Sequence, residues 1–183
     1  VSPPIMINLG CGFRKAPAPW VNVDAYWNCK PDILMDIDKT SEWPWKPNSV
    51  DCIEASHILE HLSDYWSVVK KCAEILKPNG LMIIRVPDAS STNTLAFRDH
   101  KHIITIDSFF GLEGWDRLVN AWAMNEDRVP LKVISYEKVP NPQYNWLAKW
   151  FPAIMRFCAD HLNNFVHEQI IILQKIQEGS QDA

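Results

Sequence analysis

The sequence predicts an α/β protein built on a doubly wound, mostly parallel sheet. Three observations predict it. Short apolar runs alternate with longer amphipathic segments along the chain, the pattern of parallel strands covered on both faces. The first run, Ile5-Met6-Ile7-Asn8-Leu9, passes directly into Gly10-Cys11-Gly12. A second run, Trp20-Val21-Asn22-Val23, ends in Asp24. A strand ending in Gly-x-Gly lets a ligand lie against bare backbone. An acid at the tip of the next strand can take both hydroxyls of a ribose. The pair points to an adenosine-containing ligand.

The elements follow in order. Strands are predicted at Ile5–Leu9, Trp20–Val23, Ile33–Met35, Val50–Ala55, Leu81–Val86, Lys132–Lys138 and Glu168–Gln174. The clearest helix spans Ile58–Leu76, with Leu59, Leu62, Trp66, Val69, Ala73 and Leu76 at three- and four-residue spacing. Lys77-Pro78-Asn79-Gly80 stops it and turns the chain into the next strand. Further helices are predicted at Ser108–Ala121 and Trp146–Leu162. Residues 1–176 form one expected domain, followed by a polar tail from Gln177 to Ala183.

Composition narrows the function classes. The chain has 183 residues, 47% hydrophobic and 22% charged, as in ordinary globular proteins. A net charge of -4 lacks the basic footprint of a nucleic-acid binder. No apolar run approaches the length that spans a bilayer. Cys11, Cys29, Cys52, Cys72 and Cys158 are odd in number and scattered, so reduced thiols and a cytoplasmic location are expected.

The strand ends say more than the strands. They read Gly10/Gly12, Asp24, Asp36, Ser56-His57 and Pro87-Asp88, where an open α/β sheet places its ligand. Each is small, acidic or able to hydrogen-bond, although single acids there also serve as caps and turn formers. A dinucleotide needs a helix N-terminus behind a third glycine for its pyrophosphate. Here Arg14 holds that position, and Pro17 and Pro19 leave no room for a full crossover helix before Asp24. No P-loop pattern occurs. S-adenosylmethionine carries adenosine without phosphate and bears cationic groups, which suit Asp24, Asp36 and backbone carbonyls.

Taken together, Asn8-Leu9-Gly10-Cys11-Gly12, Val21-Asn22-Val23-Asp24, Asp36-Ile37-Asp38, Ser56-His57-Ile58-Leu59-Glu60-His61, Leu76-Lys77-Pro78-Asn79-Gly80 and Arg85-Val86-Pro87-Asp88 resemble a class I S-adenosylmethionine-dependent methyltransferase. The resemblance runs over nearly the whole chain. It implies a Rossmann-like seven-stranded sheet with the last strand antiparallel, and S-adenosyl-L-methionine as cofactor. The short first crossover resembles a subgroup found among polysaccharide-biosynthesis genes. By that resemblance Asn8, Gly10, Cys11 and Gly12 would meet the methionyl part, and Asp24 the ribose. Asp36 and Ile37 would face the adenine, and Ser56 and His57 the transferred methyl. Asn8 stands where the family usually has an acid. Arg14 stands at the third glycine and can pair with the cofactor's carboxylate.

His57-Ile58-Leu59-Glu60-His61 also fits the His-x-x-Glu-His signature of a zinc hydrolase. On one helix face, His57 and His61 would bind zinc with Glu60 as base. The motif starts at a strand end, and the methyltransferase pattern accounts for these residues without a metal. No metal is therefore expected. The loop Arg98-Asp99-His100-Lys101-His102 follows the fifth strand end, over the expected acceptor site. There Asp88, Asp99, His100 and His102 are candidates for substrate binding. His102 is the first candidate for general base, His100 the second, and His57 completes the catalytic set. Trp115, Trp122, Tyr144, Trp146, Trp150 and Phe151 form an aromatic segment that suits a packed helical cap, a sugar-stacking surface or a homo-oligomer interface. The expected reaction is methyl transfer from S-adenosylmethionine to oxygen or nitrogen of a small-molecule or saccharide acceptor. The alternative is a non-catalytic cofactor-binding or scaffold protein of the same fold.

Overall fold

A computed structural model of the chain describes residues 3–109 and 129–177. Seven strands make one sheet: β1 (Met6–Leu9), β2 (Trp20–Asp24), β3 (Ile33–Leu34), β4 (Val50–Ser56), β5 (Leu76–Pro87), β6 (Leu131–Pro140) and β7 (Val166–Lys175). Their order is β3-β2-β1-β4-β5-β7-β6. β1 to β5 pair in parallel, and β7 lies antiparallel between β5 and β6. The expected doubly wound sheet with its last strand reversed is what the chain forms. The order reverses between β1 and β4, which opens a crevice at their carboxyl ends.

One face of the sheet holds the core. Ile7, Leu9, Ile53, Ala55, Met82 and Ile84 are fully buried there, joined in one cluster by Val68, Val69, Cys72 and Ile75 of helix α1 (Tyr65–Ile75). Side chains alternate along a strand, so the intervening positions face the other way. Those positions mix apolar residues, Met6, Leu81 and Ile83, with polar ones. The registers align Asn22 with Asn8 and Asn8 with Glu54, a polar row across β2, β1 and β4. The connection from β1 to β2 contains no helix to cover it.

That short connection is held by side chains instead. Asn22 is 2% exposed; its Oδ1 accepts from Asn8 Nδ2 (3.0 Å) and from the Ala16 amide (2.8 Å). Its Nδ2 donates to the Ala16 carbonyl and to Asp32 Oδ2. Lys15 closes the network with an ion pair to Asp32 at 3.0 Å. The backbone amide of Asn22, its side chain and Lys15 hold the Asp32 carboxyl down at about 2.

The helix expected at Ile58–Leu76 begins later, at Tyr65. Asp38 causes the delay: its carboxylate accepts from the Ser63 amide at 3.0 and 3.1 Å and from the Asp64 amide at 3.4 Å. Asp64 then caps α1 by accepting from Ser67 N at 3.0 Å. The residues ahead form a single 3₁₀ turn, Leu59–His61. The helix expected at Trp146–Leu162 is two, α3 (Asn145–Trp150) and α4 (Pro152–His161), because Pro152 interrupts the ladder and starts the second. A five-residue helix, α2 (Thr92–Ala96), precedes the histidine loop. Of the helix expected at Ser108–Ala121, Ile106–Phe109 forms a 3₁₀ turn and the rest lies outside the described residues, with Trp115 and Trp122. So does the tail beyond Gln177. Among the described residues no helix is long and apolar enough to cross a membrane.

Candidate functional site

The glycine loop is shaped by β2. Gly10 and Gly12 sit at φ 66° and 49°, the left-handed region. The Cys11 amide donates to the Val23 carbonyl at 3.1 Å. The Gly12 amide donates to Asp24 Oδ2, and the Tyr26 amide to Asp24 Oδ1, both at 2.8 Å. Each carboxylate oxygen keeps further lone-pair capacity, so Asp24 is oriented by the backbone while able to accept two more donors. Gly10 also makes room for Ile58: a Cβ there would lie 2.4 Å from Ile58 Cγ1.

A cavity of about 520 Å³ opens at the switch point, lined by Asn8, Glu54, Ser56 and His57 from the strand ends and by Gly10, Cys11, Gly12, Phe13, Arg14 and Ala16 from the loop. Small-ligand sites commonly span about 300–1,000 Å³. Asn8 and Glu54, two members of the polar row, contribute to its lining. Asn8, Gly10, Cys11, Gly12, Ser56 and His57 are thus brought together, while Asp24, Asp36 and Ile37 are not among the lining residues.

Charged groups continue from the cavity across β4, β5 and β7. Arg85 Nε donates to Glu54 Oε1 at 3.2 Å, and its Nη1 lies 3.6 Å from Glu168 Oε1. His57 Nε2 donates to Glu168 Oε2 at 2.8 Å, and Nδ1 lies 3.4 Å from Glu60 Oε1. Glu168, then Glu60, raise the His57 pKa to about 9 against the pull of burial. The same hydrogen bond lowers that of Glu168. At neutral pH His57 is an imidazolium, a donor rather than a base. Its backbone φ of 52° lies in the left-handed region, uncommon for a residue other than glycine.

The other expected residues lie elsewhere. Asp36 is exposed and turns the chain by accepting from the Asp38 amide at 3.1 Å. The side chain of Ile37 is buried in the core. Asp88 is buried, with Oδ1 taken by the Ser90 amide (2.8 Å) and hydroxyl (2.6 Å), which makes it a turn former. His102 donates from Nε2 to the Leu62 carbonyl at 3.0 Å and lies edge-on to Tyr65. His100 Nδ1 lies 3.0 Å from the Thr94 carbonyl. Neither His100 nor His102 is among the cavity-lining residues, and Asp99 instead meets His61 at 3.2 Å. The helix face needed by the zinc-hydrolase pattern does not form, since residues 57–61 contain one 3₁₀ turn and His57 is committed to Glu168. Trp146, Trp150 and Phe151 are exposed, whereas Tyr144 stacks on Phe165 at 4.3 Å.

Glu54, Arg85 and Glu168 escaped the sequence reading. A visible signal existed for Glu54, a charge inside the otherwise apolar run Ile53–Ala55. Cys11 and Cys29 gather beside Asp24, where burial first, then Cys29, push the Cys11 thiol up to about 12.

Comparison with known proteins agrees with this geometry. A family model described as a methyltransferase domain matches residues 10–164. No curated protein matches the sequence. Among solved structures, a SAM-dependent methyltransferase from Archaeoglobus fulgidus has a TM-score of 0.61 at 13% identity, over 94% of this chain and 86% of that one. The [4+2]-cyclase SpnF has a TM-score of 0.59 at 12% identity, over 93% and 74%. Phosphoethanolamine N-methyltransferase 2 from Haemonchus contortus, solved with S-adenosyl-L-methionine, has a TM-score of 0.56 at 14% identity, over 95% and 49%. With the reversed last strand, the switch-point cavity and a family match over most of its length, the chain belongs to the methyltransferase domain family.

Proposed function

We propose that the chain, acting as one domain, binds S-adenosyl-L-methionine at the switch point and transfers its methyl group to oxygen or nitrogen of a small-molecule or saccharide acceptor. The observation that carries this is the Gly10–Gly12 loop pinned to Asp24, above a cavity of suitable size. Asp24 takes the ribose, and Asp36 with the backbone at Ile37 borders the adenine. The methionyl ammonium meets an acid supplied one strand over: Asn8 lacks the charge, but Glu54 is its registered neighbour on β4 and lines the same cavity. Arg14, also lining it, pairs with the cofactor's carboxylate. Ser56 and His57 then border the methyl, with the imidazolium as a donor to the acceptor. His102 is fixed by Leu62 and Tyr65 outside this lining, so its part is to shape the acceptor side with Asp99 and His100. The polysaccharide-gene subgroup fits the helix-free first crossover. Free cysteines at all five positions fit a reducing cytoplasm, and the exposed Trp146 and Trp150 suit a sugar or a second copy.

Calorimetry with S-adenosylmethionine and its demethylated product tests the binding step. Asp24→Ala removes charge-assisted hydrogen bonds worth about 1.5–3 kcal/mol each, so affinity should fall at least tenfold. A parent that binds neither compound, or a mutant that binds equally, overturns the assignment. A second reading, a cofactor-binding protein that performs other chemistry or none, is favoured by the structural neighbour named as a cyclase. Turnover with a methyl acceptor separates the two.

A further inference from the structure

Beyond the cavity, the 3₁₀ turn after β4 meets the histidine loop. Glu60, His61 and His100 each offer one ligating atom, all within 4.8 Å of one another. Glu60 is 2% exposed, and neither carboxylate oxygen receives a hydrogen bond. His57 Nδ1 makes an ion pair with Oε1 at 3.4 Å, which leaves Oε2 without a partner. A buried carboxylate without hydrogen bonds is costly, so something should complete it. Both histidines are prepared to do so jointly. His61 Nδ1 faces the Asp99 carbonyl at 3.3 Å and Asp99 Oδ2 at 3.2 Å. His100 Nδ1 faces the Thr94 carbonyl at 3.0 Å. Facing acceptors, each Nδ1 carries the proton and leaves a lone pair on Nε2. Metal-binding histidines are held in this way, with the second ring nitrogen donating to a carbonyl or carboxylate.

We propose that Glu60, His61 and His100 bind one divalent transition-metal ion of the zinc class. Two imidazoles and one carboxylate favour zinc-like ions over magnesium or calcium, which prefer oxygen. Zinc bonds of about 2.0–2.1 Å place tetrahedral ligands about 3.3 Å apart, so the site closes by a modest side-chain rotation. Three protein ligands leave a fourth position open. This set differs from the His57–His61 pair of the sequence signature, and it departs from the expectation of a metal-free chain. The backbone turn removes His57 from the set and the loop contributes His100 in its place.

The test uses tag-free full chain, stripped with chelator, then titrated calorimetrically with zinc and, separately, with cobalt. The expected result is one ion per chain, confirmed by elemental analysis after gel filtration, and visible ligand-field absorption from cobalt. His61→Ala and His100→Ala should each weaken binding by about 100-fold or more. His161→Ala, an exposed histidine on α4, should leave it unchanged. Circular dichroism in chelator checks that each variant folds. Glu60→Gln, which keeps shape and removes charge, replaces any histidine variant that does not. A parent chain that takes no stoichiometric zinc, or binding that survives both histidine variants, overturns the site. Neither result depends on S-adenosylmethionine binding.

Discussion

Gly10 is where fold and site constrain each other most tightly, and Gly10→Ala separates two costs. The first is conformational: at φ 66° an L-residue pays about 1–2 kcal/mol. The second is steric. The new Cβ would stand 2.4 Å from Ile58 Cγ1 and 2.7 Å from both Ile58 Cβ and Cδ1, against a comfortable separation of about 3.5–4.0 Å. Overpacking of this kind costs about 1–3 kcal/mol, for a total of about 2–5 kcal/mol. Gly12 supplies the control, because it shares the positive φ (49°) but has nothing within 4 Å of its virtual Cβ. Gly12→Ala should therefore lose only the conformational part. Urea unfolding followed by circular dichroism measures both, read as a shift of midpoint at constant slope. Adding Ile58→Gly, which removes all three clashing atoms, to Gly10→Ala should recover at least about 1 kcal/mol relative to the sum of the single mutants. Equal losses at the two glycines, or additivity with Ile58→Gly, would refute the steric contact.

Three further outcomes are expected. Asn22→Leu strips partners from Asn8 Nδ2 and from the Ala16 amide and carbonyl; the Asn8 group is the buried one of these, so at about 1–3 kcal/mol for a buried unpaired group urea unfolding should show a loss of about 1 kcal/mol or more, and no loss would mean that this network does not hold the first crossover. Glu54→Gln should weaken S-adenosylmethionine binding about tenfold or more by calorimetry, as loss of a charged hydrogen bond implies, and unchanged affinity would move the ammonium elsewhere. Asp32 has its carboxyl lowered from 3.8 to about 2, so its contribution to stability is present above pH 4 and disappears as pH falls through about 2. The difference in melting temperature between the parent and Asp32→Asn should accordingly narrow over that window; a constant difference would contradict the sign.

The sheet and the glycine loop were legible because they are local. An apolar run ending in Gly10-Cys11-Gly12, and another ending in Asp24, carry their meaning within a few residues, and the structure joins them by the Gly12–Asp24 hydrogen bond. What stayed hidden depends on distant partners. The late start of α1 is set by Asp38, 25 residues before the Ser63 amide it captures, whereas helical periodicity saw only the apolar spacing from Leu59 onward. Pro152 was readable as a helix break, yet the apolar residues on either side of it masked the break. Glu54 gains its meaning from the β1–β4 register, which sets it beside Asn8. The charge of His57 depends on Glu168 on β7, 111 residues away, which raises its pKa to about 9. His102 was chosen by its loop, and only the fold reveals that Leu62 occupies its Nε2.

The central claim is that the switch-point cavity is the cofactor site, and a crystal structure of the chain with S-adenosylhomocysteine tests it most directly. The expected density has the ribose on Asp24, the amino-acid end between Asn8, Glu54 and Arg14, and the sulfur directed toward Ser56 and His57. Density absent from the cavity at saturating ligand, or ligand bound elsewhere on the molecule, would contradict it.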